Sequence, residues 1–261
     1  MALNDREVQK MDIFDDPDNA IYRATKAGTV ALLQAVNQAD VTGRKAKDSK
    51  DRPCDAVTAY LDVSFLGPFL RSGQEIPYAE NAGVLGTYID FLDSELERGA
   101  SHATHLHQTH LKLLAYVTAI EATAPLSLFG NCLEYLGGGR TEFDWGIYYD
   151  LPSAIKKLEA VNKAAKPVKN KLPAEFMALH KRLRSLFDAT YRNAIAHATY
   201  PVWPRGSGVD IWRKGKKVRT LDRTEVDQRY QESRFYLQAF FAGVGDFAEG
   251  IHPECPYAWH P

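Results

Sequence analysis

With 261 residues, 45% of them hydrophobic and 11% aromatic, the chain has ample material for a core and reads as a soluble globular protein of one large or two small domains. The formal net charge of -1 conceals an asymmetry: residues 156–219 carry 16 Lys/Arg against 4 Asp/Glu, and the rest carries 16 against 29. A solvated helix face accounts for most such runs, but clustered cations are also the footprint of a phosphate-backbone partner.

The opening stretch "MALNDREVQKMDIFDDPDN" is charged and has no apolar run, so it does not read as a signal peptide. The longest apolar run, Leu111 to Phe129, is interrupted by Lys112, Glu121 and Pro125 and fails as a membrane span, so a cytoplasmic location is expected. Cys54, Cys132 and Cys255 are odd in number and widely spaced, which argues against a disulfide framework or a cysteine zinc site.

In chain order, Asp16-Pro17 signals a helix start, and Ile21, Val30, Leu33 and Val36 give the helix its apolar face. After the charged loop "VTGRKAKDSKDRP", helices are expected over "CDAVTAYLDVSFLGPFLRSG", broken near Gly67-Pro68, and over "AENAGVLGTYIDFLDSELERG". A long helix follows, capped by Ser101, striped by Leu106, Leu113, Val117 and Ile120, and ended near Pro125.

That helix carries half of the eight histidines: His102, His105, His107 and His110. Their spacings spread them around the helix, unlike the i,i+4 pairs of helical zinc sites, and exposed or capping histidines are the alternative to a metal. His110 falls in the apolar stripe, so it is either a buried, hydrogen-bonded histidine, the reading favoured here, or one facing an interhelical site. No metal or cofactor is expected.

"LSLFGNCLEYLGGGR" reads as a short helix running into a glycine turn. Gly137 to Gly139 with Arg140 lack the Lys-Ser/Thr of a P-loop and a preceding strand, which favours a flexible turn over a phosphate cradle. Beyond an aromatic loop and the helix "SAIKKLEAVNKAAK", a helix from about Pro173 to Tyr200 is expected. Its core stripe is Phe176, Leu179, Leu183, Leu186, Phe187, Thr190, Ala194 and Ala198, and Pro201 is its stop. "GVDIWRKGKKVRTL" is a hairpin signal near 208–221, pairing Val209 and Ile211 with Val218 and Leu221 around a Lys-Gly turn. A last helix follows, with a capping box around Thr224 and an aromatic stripe, before a proline-broken tail.

The chemistry sits in "YRNAIAHATYP", Tyr191 to Pro201. Asn193 and His197 are four apart and share a helical face, while Arg192 lies about 140° around from His197. Arginine wrapping back, an unwound helix end or a two-fold dimer would each bring these groups together. The residue types suit RNA cleavage without metal. Histidine, with a reference pKa of about 6.5, serves as acid or base near neutrality, arginine fits phosphate oxygens bidentately, and asparagine orients the imidazole or binds phosphate. Attack by the 2′-hydroxyl would restrict the substrate to RNA. The plain alternative is that all three cap carbonyls and answer the helix dipole.

"YRNAIAHATY" resembles the signature of the HEPN superfamily (higher eukaryote and prokaryote nucleotide-binding domains), an Arg and a following polar residue with a His four to six residues after the Arg, at the end of a long helix. Arg192, Asn193 and His197 match it one by one. The resemblance implies an all-α, up-down helical bundle, homodimers that juxtapose two motifs and, in many members, metal-independent endoribonuclease activity in toxin-antitoxin or antiviral defence systems. An antitoxin or another defence protein is an implied partner. Other members are non-catalytic modules that bind protein or nucleotide and dimerise. Some active members use an acidic residue on an earlier helix, for which Glu121 is the candidate.

The expected organisation is thus an N-terminal helical region, 1–100, packed on the bundle, and a HEPN-like domain, 101–261, with the hairpin inserted before the last helix. The expected catalytic residues are Arg192, Asn193 and His197. Lys181, Arg182, Arg184, Arg213, Lys214, Lys216 and Lys217 are the expected RNA contacts.

Overall fold

The computed structural model describes residues 19–41, 94, 105–136, 172–203 and 208–251. Of these, 77% are helical, and one two-stranded antiparallel sheet precedes the last helix. The expected helices within 54–73, 79–99 and 153–166 lie outside the described residues apart from Ser94, as do Ser101, His102, the glycine turn with Arg140, Cys54, Cys255 and the tail.

Helix α1, Ala20–Val41, starts under Asn19, whose side chain accepts from the backbone N–H of Ile21 at 2.9 Å and of Tyr22 at 3.4 Å. Ile21, Leu33 and Val36 are buried as expected, whereas Val30 is only half-buried. The inner face instead runs through Thr25, Gly28, Thr29 and Leu32, because two partners press close. A Cβ on Gly28 would stand 2.7 Å from the Leu179 Cβ, and one on Gly243 would stand 2.9 Å from the Lys26 carbonyl oxygen. Glycine at these two positions lets α1 lie tightly between the helix carrying Leu179 and the last helix.

Helix α2, His105–Ile120, and helix α3, Thr123–Leu136, are the long and the short helix expected on either side of Pro125, but the boundary between them falls earlier. The chain turns at Glu121 and Ala122, and Pro125 falls in the first turn of α3, where its missing N–H breaks no intrahelical bond. Leu113, Val117 and Ile120 are buried on the expected stripe, with Leu106 half-buried. The stretch Leu106–Leu136 is long and apolar enough to cross a membrane by length and composition, yet 82% of its most apolar window is buried inside the protein.

The helix expected from Pro173 to Tyr200 is two helices: α4, Ala174–Leu186, and α5, Ala189–Ala196. The break is built by Asp188, whose carboxylate accepts from the N–H groups of Thr190 at 3.0 Å and Tyr191 at 3.1 Å and so caps α5. Phe176, Leu179, Leu183, Leu186, Phe187 and Ala194 are buried, but Thr190 is half-buried and Ala198 is exposed, since the chain has left the helix there.

Strands β1, Gly208–Arg213, and β2, Lys216–Asp222, form the expected hairpin. Lys214 (φ 51°) and Gly215 (φ 73°) are both left-handed, the two-residue turn that matches strand twist. Val209, Ile211 and Leu221 are buried, but Val218 is 49% exposed, against expectation. It lies three residues from Leu221, hence on the opposite face, and the register slips there: Ile211 faces Arg219 and Trp212 faces Lys217, leaving Val218 as the bulged residue. Helix α6, Arg223–Ile251, has a capping box made by Asp222 and Glu225 rather than by Thr224. The Glu225 N–H donates to Asp222 at 2.8 Å, and the Asp222 N–H donates to Glu225 at 3.2 Å.

One core joins these elements. Phe129 of α3 meets Phe176 of α4 at 5.9 Å and Phe240 of α6 at 5.5 Å between ring centroids, edge to face in both cases.

Candidate functional site

Helix α5 sits on a polar and aromatic footing. Tyr191 is buried with its ring 4.8 Å from that of Tyr116 and 5.1 Å from the Arg229 guanidinium, and the Tyr116 hydroxyl donates to the Leu186 carbonyl at 2.7 Å. Burial pushes both tyrosine hydroxyls above the usual range, so they stay protonated. Asp188, besides capping α5, pairs with Arg219 at 3.1 Å and Arg229 at 3.5 Å, tying α5 to β2 and α6.

The helix stops at His197. Its N–H still donates to the Asn193 carbonyl at 3.0 Å, the Ala198 N–H to Ile195 at 3.1 Å and the Thr199 N–H to Ala194 at 2.8 Å. Ala198 takes a left-handed conformation, φ 51°. This is a Schellman end with alanine where glycine is the usual residue. Thr199 and its successors then run along β1. The Trp212 N–H donates to the Thr199 carbonyl at 3.1 Å, the Asp210 N–H to Pro201 at 3.1 Å and the Trp203 N–H to Gly208 at 2.8 Å, which fixes the hairpin beside the motif.

Between helix end and hairpin lies an open cleft of about 330 Å³ lined by Ala189, Thr190, Asn193, Ala194, His197, Thr199, Trp212, Arg213 and Lys214. Asn193 and His197 therefore share a face, as their spacing requires. The His197 imidazole is exposed and makes no hydrogen bond among the described residues. Arg192 is elsewhere. It points to the opposite side of α5, where its guanidinium pairs with Glu121 at the end of α2, both side chains about three-quarters buried. A carboxylate at a helix C-terminus meets the negative end of the dipole, and the Arg192 cation offsets that. Arg192 reaches the cleft only through Asn193, whose side-chain oxygen accepts from Nη1 at 2.8 Å. The unwound helix end aims His197 into the cleft, not at Arg192.

Of the expected RNA contacts, only Arg213 and Lys214 line the cleft. Lys216 is exposed on the same hairpin, and Lys217 lies 3.6 Å from Asp210. The Thr220 hydroxyl, donating at 2.6 Å, together with Trp203 and Lys217 holds the Asp210 carboxyl below its usual range. Lys181, Arg182 and Arg184 are exposed on α4, outside the cleft lining.

His110 is exposed rather than buried, which overturns the favoured reading. Its Nδ1 lies 3.2 Å from the Tyr200 hydroxyl, so it faces the segment that follows the motif. Burial raises the Tyr200 hydroxyl above its usual range. His107 is exposed, and among the described residues no three His, Cys, Asp or Glu side chains gather as a metal site would need.

Sequence reasoning missed Trp212 as a cleft residue and Asp188 as the cap. The phase of β1 carried the first signal: Val209 and Ile211 point inward, so Trp212 falls on the outer face. No protein-family model, curated protein or solved structure matches the chain.

Proposed function

We propose that the chain is a HEPN-like endoribonuclease that cleaves RNA without metal and works as a homodimer. The observation that carries this reading is the convergence of Asn193, His197, Arg213 and Lys214 on one open cleft, a histidine with no hydrogen-bond partner among the described residues beside an amide and two cations.

In this reaction the RNA 2′-hydroxyl gives its proton to a histidine as its oxygen bonds to phosphorus. The phosphorus–O5′ bond then breaks, and O5′ takes a proton from an acid. The products are a 2′,3′-cyclic phosphate and a 5′-hydroxyl. Base and acid are both needed, and one cleft holds one histidine; a two-fold dimer that joins two clefts supplies the second. Arg213 and Lys214 stabilise the developing phosphorane charge, and the Asn193 amide, its oxygen engaged by Arg192, donates from nitrogen. Arg192 is here a positioning residue.

One observation favours a second reading, a HEPN-like module that binds protein or nucleotide without catalysis: the motif arginine is engaged by Glu121 within the fold. Incubation with total RNA, with and without EDTA, separates the two. The expected result is cleavage that survives chelation and leaves cyclic phosphate ends. Cleavage abolished by EDTA and restored by Mg2+ or Zn2+, or no cleavage at all, would overturn the proposal.

A further inference from the structure

Trp212 lines the cleft from the outer face of β1. It is 38% exposed in a cleft otherwise lined by small, polar and basic groups, and its indole makes no hydrogen bond or ring contact among the described residues. Trp203, equally exposed at 38%, provides the contrast. Its ring lies against the Gly208 backbone, where a Cβ would stand 3.2 Å from it, and its side chain bonds Asp210. Trp203 is therefore part of the hairpin's packing, whereas Trp212 is presented.

The backbone that presents Trp212 is firmly held. Its N–H donates to Thr199 at 3.1 Å, its carbonyl accepts from the Thr199 hydroxyl at 3.3 Å, and the bulge at Val218 begins at Trp212 in the pairing. The neighbours in sequence, Arg213 and Lys214, add two cations to the lining of the same cleft, with Lys216 exposed beyond the turn. A flat aromatic with adjacent cations on a fixed strand is the arrangement that holds a nucleobase by stacking and its phosphate by charge.

We propose that Trp212 is the residue of this chain that stacks on an unpaired base next to the phosphate held in the cleft, and that this side chain sets the preference for single-stranded over duplex RNA. The proposal rests on the RNA reading of the same cleft and adds its selectivity. In a duplex each base face is covered by its neighbours, and the narrow A-form major groove does not admit a side chain to the bases. Only a strand whose bases can splay apart offers a free face to the indole. Stacking of this kind tolerates every base, so the selectivity is for strandedness more than for sequence.

The test measures binding apart from cleavage, by fluorescence anisotropy of a labelled twelve-nucleotide RNA, alone or annealed to its complement, with the full chain carrying His197→Ala. The single strand is expected to bind at least about tenfold more tightly than the duplex. Adding Trp212→Ala should weaken single-strand binding about 5- to 100-fold, the scale of one lost base stack, with duplex binding unchanged; Trp212→Phe should restore most of the loss. Equal binding of strand and duplex, or a Trp212→Ala form that binds like its parent, would overturn it. Stacking observed with a wild-type chain that cuts no RNA would sink the catalytic reading alone. Cleavage of strand and duplex at equal rates by both wild type and Trp212→Ala would sink this one alone.

Discussion

The two sides of helix α5 are built on opposite principles. On the inner side Arg192 is paired with Glu121, the Tyr191 ring is packed between Tyr116 and Arg229, and Asp188 holds two arginines, so each of these charged groups has a partner and only the buried Tyr191 hydroxyl makes no hydrogen bond among the described residues. On the outer side His197 and Trp212 are exposed and uncommitted in the described structure, with Asn193 bridging the two sides through its contact with Arg192. Preorganised sites need this division: a footing that does not move and a surface whose groups are left for a ligand. Three motif residues within six positions thus fall into two roles, one anchoring and two presented.

The contrast can be broken hardest from the inner side. Tyr191→Ala removes a buried aromatic ring and should destabilise the fold by about 3–5 kcal/mol, seen as a lower midpoint in urea unfolding. A loss under about 1 kcal/mol would mean that the footing of α5 is not packed as described. The Arg192–Glu121 pair comes next. Arg192→Ala and Glu121→Ala should each cost about 1–3 kcal/mol, and the double variant should cost less than their sum, because removing both ends leaves no charge facing a lost partner. Additive losses would show that the pair is not coupled. The smallest effect has the opposite sign. Ala198→Gly relieves a left-handed alanine and should stabilise the chain by about 0.5–1 kcal/mol, with the cleft unaltered. A destabilised Ala198→Gly form would mean that the Schellman end does not set the position of His197.

Periodicity made much of this legible. The buried stripes of α2 and α4, the hairpin with Val209 opposite Leu221 and the common face of Asn193 and His197 follow from side-chain spacing, whereas the bulge that exposes Val218 does not. Breaks decided by single residues did not. Asp188 sits inside an uninterrupted apolar pattern, so its capping bonds to Thr190 and Tyr191 are invisible to periodicity, and the run from Pro173 reads as one helix. The end at Ala196 was hidden for a related reason: "AIAHATY" lacks the glycine that marks a Schellman turn, and Pro201 offers itself as the stop. His110 matched the stripe by spacing, yet its contact is with Tyr200, ninety residues on, which only the tertiary fold brings near. The Glu121–Arg192 pair is of the same kind, a contact across seventy-one residues.

The separation of the two sides is tested most directly by measuring RNA cleavage rate and melting temperature on one preparation of His197→Ala beside wild type. At least about a hundredfold loss of rate is expected, the scale of losing a general acid/base, with a melting temperature within about 2 °C of wild type because the imidazole is exposed and makes no hydrogen bond among the described residues. A His197→Ala chain that cuts RNA at the wild-type rate, or that loses activity only by unfolding, would contradict it.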